Sequence, residues 1–295
     1  MRSRELSAEP LFVIGAVSQY SGAAVAALLF DHLSPAGVTW LRVLGAAVVI
    51  VVLRRSWRRR WKAPELALAA SFGVSLAAMN LCFYLALDRL PLGNTVAIEF
   101  IGPVVVAAIG TRTLRSAAAV ALAGCGVLVL AGVEGSGTFA GVGFALLAGG
   151  FWAGYILLGH RVAHGRDSHD ALGVGMLAGA VAISPFGAGD VGAAAGQPLV
   201  LALGLLTGLL SNVIPYRIDQ SVMRRVDPHR FALLQALLPA TAVVVGLAAL
   251  TEVPTAADAV GIGLVIAAIA ASRPAPEARP AIGGHQEPGR DRDDR

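Results

Sequence analysis

Ten long apolar stretches fill the chain from Leu11 to Ser272, and nearly every Lys and Arg lies in every second gap between them. Of the 295 residues, 56% are hydrophobic and 14% charged, with a mean hydropathy of +0.70. That is too little polar surface for a soluble chain of this length, so lipid is the relevant solvent. Only helices and closed barrels satisfy their backbone groups in hydrocarbon, and a helix crosses it with roughly 20 apolar residues. The runs have that helical length and lack the alternation of barrel strands.

The pattern predicts an all-α integral membrane protein with ten transmembrane helices at 11–30, 36–53, 64–87, 93–110, 116–133, 140–160, 171–188, 198–216, 229–250 and 256–272. An even number of crossings puts both termini on one side. All of the 23 basic residues except Arg42, Arg89 and Arg230 then fall on the side of the N-terminus, which the positive-inside rule makes cytoplasmic. The run from Arg54 to Lys62, with Trp57 and Trp61 among its bases, reads as a topology determinant at the lipid interface. The pI near 9.6 is accounted for in the same way, and no nucleic-acid partner is expected. The first apolar run is longer than a signal-peptide core, and removing it would break the charge pattern.

Cys82 and Cys125 both lie in apolar helices, so neither a disulfide framework nor a thiolate metal site is indicated. His160, His164 and His169 with Asp167 and Asp170 invite a metal reading, but they lie in or beside one short loop, and no metal and no cofactor are expected. No nucleophile motif, P-loop or metallopeptidase signature interrupts the helices and no soluble segment is long enough for an ATPase domain, so no enzyme is predicted, and any transport energy needed must come from gradients.

The chain divides into an N-terminal segment 1–10, a first five-helix repeat 11–133, a connecting loop 134–139, a second repeat 140–272 and a disordered tail 273–295. Five helices per half is an odd number, so the halves face opposite ways. Sliding the sequence by 136 positions sets Asn80 on Tyr216, Tyr84 on Gln220, Glu99 on Gln235 and Pro103 on Pro239. Two inverted repeats with a pathway between them are the architecture of many secondary transporters.

Arg42 in the second span and Glu99 in the fourth are the main anomalies, because an ionisable side chain deep in a bilayer costs about 2.5–3.5 kcal/mol or more. Each lies about six residues from the outer start of its helix, so at ~1.5 Å per residue they share a depth and can pair. The functional alternative is a carboxylate for an ammonium group or a proton, with the guanidinium holding a substrate carboxylate. The bland alternative is a fixed salt bridge.

Asn80 and Tyr84 share one helix face at i, i+4 spacing, and Asn212 with Tyr216 repeats that spacing in the second half. Gln19, Tyr20, Trp152 and Tyr155 are further midplane polar or aromatic groups, and Gln235 matches Glu99. Aromatic walls suit a bound amine, whereas interhelical hydrogen bonding and packing are the ordinary alternatives. Pro103, Pro215 and Pro239 fall within predicted helices and mark kinks or hinges. Gly204 and Gly208 form a GxxxG pattern.

The segments Pro35–Arg42, Gly73–Asn80, Phe83–Leu85, Pro91–Gly93, Ala97–Pro103, Gly150–Leu157 and Ile214–Tyr216 together resemble EamA-type members of the drug/metabolite transporter superfamily, and within it the bacterial inner-membrane threonine/homoserine exporters. The resemblance spans roughly residues 10 to 272. It implies a multi-pass inner-membrane protein with a central pathway and efflux of small amino acids or related metabolites. Those exporters carry a Glu immediately before the second-repeat proline, where this chain has Leu238.

The expected function is therefore export of a small zwitterionic metabolite by alternating access, with Glu99, Arg42, Asn80, Tyr84, Gln19, Tyr20, Trp152, Tyr155, Asn212, Tyr216 and Gln235 along the path. The expected partners are a small-molecule substrate, membrane lipid and, if Glu99 exchanges one, protons. Efflux of a cationic or aromatic drug is the second substrate class. A non-transporting membrane enzyme or scaffold is the alternative of a different kind. Oligomeric state is open.

Overall fold

The computed structural model describes residues 8–111, 113–132, 138–165, 167–193, 196–225, 228, 231, 235 and 238–271. The predicted connecting loop between the halves, for the most part, and the C-terminal tail lie outside the described residues. Among those described, the secondary structure is helical: α1 Ala8–Ala27, α2 Pro35–Arg54, α3 Ala63–Leu87, α4 Leu92–Glu99, α5 Ile101–Thr111, α6 Leu114–Gly132, α7 Thr138–Ala163, α8 Ser168–Ala193, α9 Pro198–Gly208, α10 Ile214–Met223, α11 Leu238–Leu250 and α12 Ala256–Ala271. A π-helical turn, Leu209–Val213, joins α9 to α10.

Six helical stretches among the described residues are long and apolar enough to cross a membrane: Pro35–Arg54, Ala63–Leu87, Leu92–Ile109, Phe139–Ala163, Ser168–Gly192 and Pro198–Met223. Leu11–Ala27, Ala117–Leu130, Thr241–Leu250 and Ala256–Ala268 are apolar but shorter. The chain is a multi-pass membrane protein by these helices. Their ends follow from local chemistry: α2 begins with the Ser34 hydroxyl accepting from the Gly37 N–H and with Pro35 in its first turn, where a missing N–H costs nothing.

Two prolines shape the helices around the later site. Pro103 has no N–H for the carbonyl of Glu99 four residues back, and the helix breaks at Phe100, dividing the predicted fourth span into α4 and α5. Pro215 likewise leaves the Ser211 carbonyl without its helical donor, and the chain ahead of it widens into the π turn, with the Ile214 N–H bonding the Leu209 carbonyl five residues back. Pro239 differs from expectation: it stands at the second position of α11 rather than inside a helix, where its missing donor disrupts nothing.

The principal helix contacts pair the first half of the chain with the second: α2 on α8, α3 on α7 and α8, and α6 on α12. Small residues let these backbones approach, the usual means of association where lipid removes the hydrophobic drive. A Cβ on Gly73 of α3 would run into the Gly175 backbone of α8. One end of the bundle gathers Arg54 with Asp170 at 3.0 Å and Arg59 with Asp167 at 3.4 Å and Glu65 at 2.9 Å. At the opposite end Glu252, in the connection from α11 to α12, accepts from the Leu92 N–H at 2.8 Å, and Asp258 accepts from Asn94 Nδ2 at 2.7 Å. These two bonds tie the start of α4 to the second half.

Candidate functional site

Arg42 and Glu99 reach the interior through two glycine contacts. On α2, the backbone of Arg42 lies against Gly208 of α9, where an added Cβ would stand 2.5 Å from the Arg42 carbonyl oxygen. The sequence pattern Gly204/Gly208 thus packs on Leu41 and Arg42. On α4, the Glu99 carbonyl freed by Pro103 lies against Gly149 of α7, again 2.5 Å from a notional Cβ. Both side chains are buried, at 2% and 4% exposure.

They line one small cavity of about 20 Å³, together with Gln19, Tyr20, Ala23, Met79, Asn80, Phe83, Tyr84 and Tyr216. Although the two ionisable groups share this cavity, they do not pair. No ion pair joins them among the described residues, whose salt bridges involve other side chains. The Arg42 Nη2 instead donates to Asn212 Oδ1 at 2.5 Å, and its guanidinium lies 4.5 Å above the centroid of the Tyr84 ring. Equal depth in the two helices was therefore an insufficient guide: the break at Phe100 and the π turn set which groups meet, and the turn brings Asn212 to the guanidinium.

Asn80 Nδ2 donates to the Tyr216 hydroxyl at 3.0 Å and to the Leu76 carbonyl at 2.8 Å. The π turn is stitched to α1 by Ser18 Oγ donating to the Leu210 carbonyl and Ser211 Oγ donating to the Gln19 carbonyl, at 2.6 and 2.9 Å. The Tyr20 hydroxyl, Arg42 Nε and Asn212 Nδ2 are buried without a hydrogen-bond partner. A buried polar group left unpaired costs about 1–3 kcal/mol, so donors and acceptors around this cavity are provisioned for a polar occupant.

The other expected residues lie elsewhere. Trp152 is buried edge-on against Phe100, with centroids 4.9 Å apart, and supports the helix break rather than lining the cavity. Tyr155 stacks on Phe72 at 5.3 Å, stands 5.5 Å from Tyr216 and donates its hydroxyl proton to Asp219 Oδ2 at 2.8 Å. Gln235 is buried, its Oε1 has no partner, and it is not among the cavity-lining residues.

Asp219 was missed at the sequence level, because the eighth span was ended at residue 216, just before Arg217. The helix runs on to Met223. Tyr216, Asp219, Gln220 and Met223 are buried on one face while Arg217 points outward. That i, i+3, i+4, i+7 pattern was the available signal. Asp167 and Asp170, considered with the neighbouring histidines as a metal candidate, are engaged by Arg59 and Arg54.

A buried cavity lined by one guanidinium and one carboxyl group inside a bundle of membrane-length helices is the arrangement of a membrane transporter for small molecules. The chain belongs to the EamA-like transporter family, whose model matches residues 139–272. It is 33% identical to the threonine/homoserine exporter RhtA of Escherichia coli (strain K12) and to that of Salmonella typhimurium (strain LT2), in each case over 261 residues covering 88% of both chains. One protein of known crystal structure shares the fold with a TM-score of 0.59 at 18% identity, covering 90% of this chain and 98% of that one.

Proposed function

We propose that the protein exports a small zwitterionic amino acid of the threonine or homoserine kind, by alternating access between two inverted five-helix repeats. In this reading ten helices cross the bacterial inner membrane, the shorter apolar helices included, and both termini are cytoplasmic. The observation that carries the substrate class is the unpaired Arg42 and Glu99 on one buried cavity. A zwitterion presents the complement of that pair: an ammonium group for Glu99 and a carboxylate for Arg42. Binding releases Arg42 from Asn212, whose amide joins Asn80 and Tyr216 in holding the solute's polar side chain. Tyr84 and Tyr20 close the aromatic wall. Glu99 releases its hold on the ammonium group when it takes up a proton, which gives a route to proton coupling.

The identity to RhtA supports the amino-acid class. A cationic drug is the weaker reading because Arg42, 4.5 Å from the Tyr84 ring, holds a fixed positive charge against the same space. Counterflow of radiolabelled threonine and homoserine in proteoliposomes tests the proposal. Uptake by the wild type that is abolished in Glu99→Gln supports it. Absence of counterflow by folded wild-type protein, with uptake of organic cations in its place, transfers the function to drug efflux.

A further inference from the structure

The amino-acid reading leaves Asp219 unused, a buried carboxyl that, unlike Asp170 and Asp258, has neither an arginine nor an amide partner. Asp219 sits on α10 with 8% exposure, one helical turn beyond Tyr216, and its hydrogen-bond partner is the Tyr155 hydroxyl at 2.8 Å. No cation pairs with it among the described residues. The titratable groups that face it are Tyr155 of α7 and, from farther off, Tyr20 of α1 and Tyr216 of α10 itself. From α8, which also packs against α10, His169 faces Arg217 and Arg224 instead. The π turn brings Ser211 and Asn212, which do not titrate.

A carboxylate buried in this way must be compensated by a proton or by a bound cation. No group of three or more metal-ligating side chains surrounds it among the described residues, Asp219 is absent from the lining of the Glu99 cavity, and Tyr155 is stacked on Phe72. A proton needs neither a ligand set nor a cavity. Asp219 also stands between two regions: toward one end α10 continues to exposed Arg224 and Arg225, and toward the other Tyr216 opens on the Glu99 cavity.

We infer that Asp219 is a proton-exchanging carboxyl of the transport cycle, separate from Glu99 and held by Tyr155 between the cavity and the bundle end that carries Arg54. One carboxylate oxygen takes a proton from water when the protein opens to one side and returns it to water when it opens to the other. The Tyr155 hydroxyl keeps its own proton throughout and only donates its hydrogen bond. The inference rests on the transporter reading of the cavity and not on the identity of the solute.

Infrared difference spectroscopy of the full-length protein in lipid, across a pH step and with no solute added, tests this directly. The expected result is a carboxyl C=O band present in wild type and in Glu99→Gln, lost in Asp219→Asn and restored in Asp219→Glu. Tyr155→Phe keeps the carboxyl and removes its partner, so it shifts the pH midpoint of that band by at least about half a pH unit. Should Asp219→Asn fail to fold, the Tyr155→Phe shift decides the question. A band that persists in folded Asp219→Asn, a spectrum without any Asp219-dependent band, or a midpoint unmoved by Tyr155→Phe overturns the inference. Because threonine is absent, failure of the amino-acid assignment in counterflow leaves this result interpretable.

Discussion

Asn80 and Tyr216, 136 positions apart in the chain, are joined by a hydrogen bond of 3.0 Å in the wall of the cavity. The same interval superposes Glu99 on Gln235 and Pro103 on Pro239 in the sequence. In the proposed pair of inverted repeats, equivalent residues touch only near the axis that relates them, so this bond fits an axis running through the cavity. That is where substrate sites of such transporters lie.

The Asn80–Tyr216 bond should be energetically coupled to binding. Asn80→Ala and Tyr216→Phe are each expected to weaken threonine affinity, and the double variant to lose less than the two effects combined, with a coupling of about 0.5–1.5 kcal/mol. Affinities from competition of counterflow across the four proteins give the coupling; additive losses would mean that the bond plays no part in binding.

Arg42 is expected to tolerate Lys poorly. Its planar guanidinium donates to Asn212 while lying over Tyr84, a geometry that a point-charge ammonium does not reproduce. Arg42→Lys should raise the half-saturating threonine concentration about tenfold or more, and Asn212→Ala by less, because it removes a neutral partner. Dose–response counterflow separates the two.

Gly149 and Gly208 should not accept a methyl group. Each faces a backbone carbonyl oxygen, that of Glu99 or Arg42, at 2.5 Å from the position a Cβ would take. Gly149→Ala and Gly208→Ala are expected to destabilise the protein by about 1–3 kcal/mol, the usual cost of overpacking. Gly143, which has open space at its Cβ position, is the control. Thermal inactivation in detergent reads the difference.

Stability should fall as pH rises through the titration of Glu252. Partial burial pushes this carboxyl above its ordinary range, while the Leu92 N–H it accepts pulls the other way without cancelling the effect. A raised value in the folded state means that the folded protein binds the proton more tightly than the unfolded chain does. The stabilisation is then complete below the ordinary Glu value of about 4.3 and is lost as pH rises through the higher folded value. Glu252→Gln keeps an acceptor for Leu92 and should flatten the stability profile in that window. A profile unchanged by the substitution would remove Glu252 as its source.

Much of the cavity wall stood out in the sequence because lipid-spanning segments punish polarity. Arg42, Glu99, Asn80, Gln19, Tyr20, Tyr84 and Tyr216 were visible against an apolar background, and the cavity groups them. Phe83, Met79 and Ala23 line the same cavity but carry no such contrast, since an apolar residue in an apolar helix gives no sign of the direction it faces. Asp219 was hidden for the opposite reason: it follows Arg217 in a stretch polar enough to read as a connecting loop, and only the burial periodicity of α10 separates the two. Partner choice was equally obscure. Depth along two helices is a one-dimensional quantity, whereas the meeting of Arg42 with Asn212 depends on a turn whose widening comes from Pro215.

That widened turn fixes an angular phase. At about 100° of rotation per residue, a helix that absorbs one additional residue into a π turn presents everything beyond it a large fraction of a circle away from where an unbroken α-helix would. Tyr216 and Asp219 face inward in the phase set at Leu209–Val213. Were the turn to tighten into α-helix, α10 would swivel like a camshaft by about 100°, carrying Tyr216 from the interior to the outward direction that Arg217 now takes. The transporter's polar face is thus held by a local winding number, and proline at residue 215 keeps that number from relaxing.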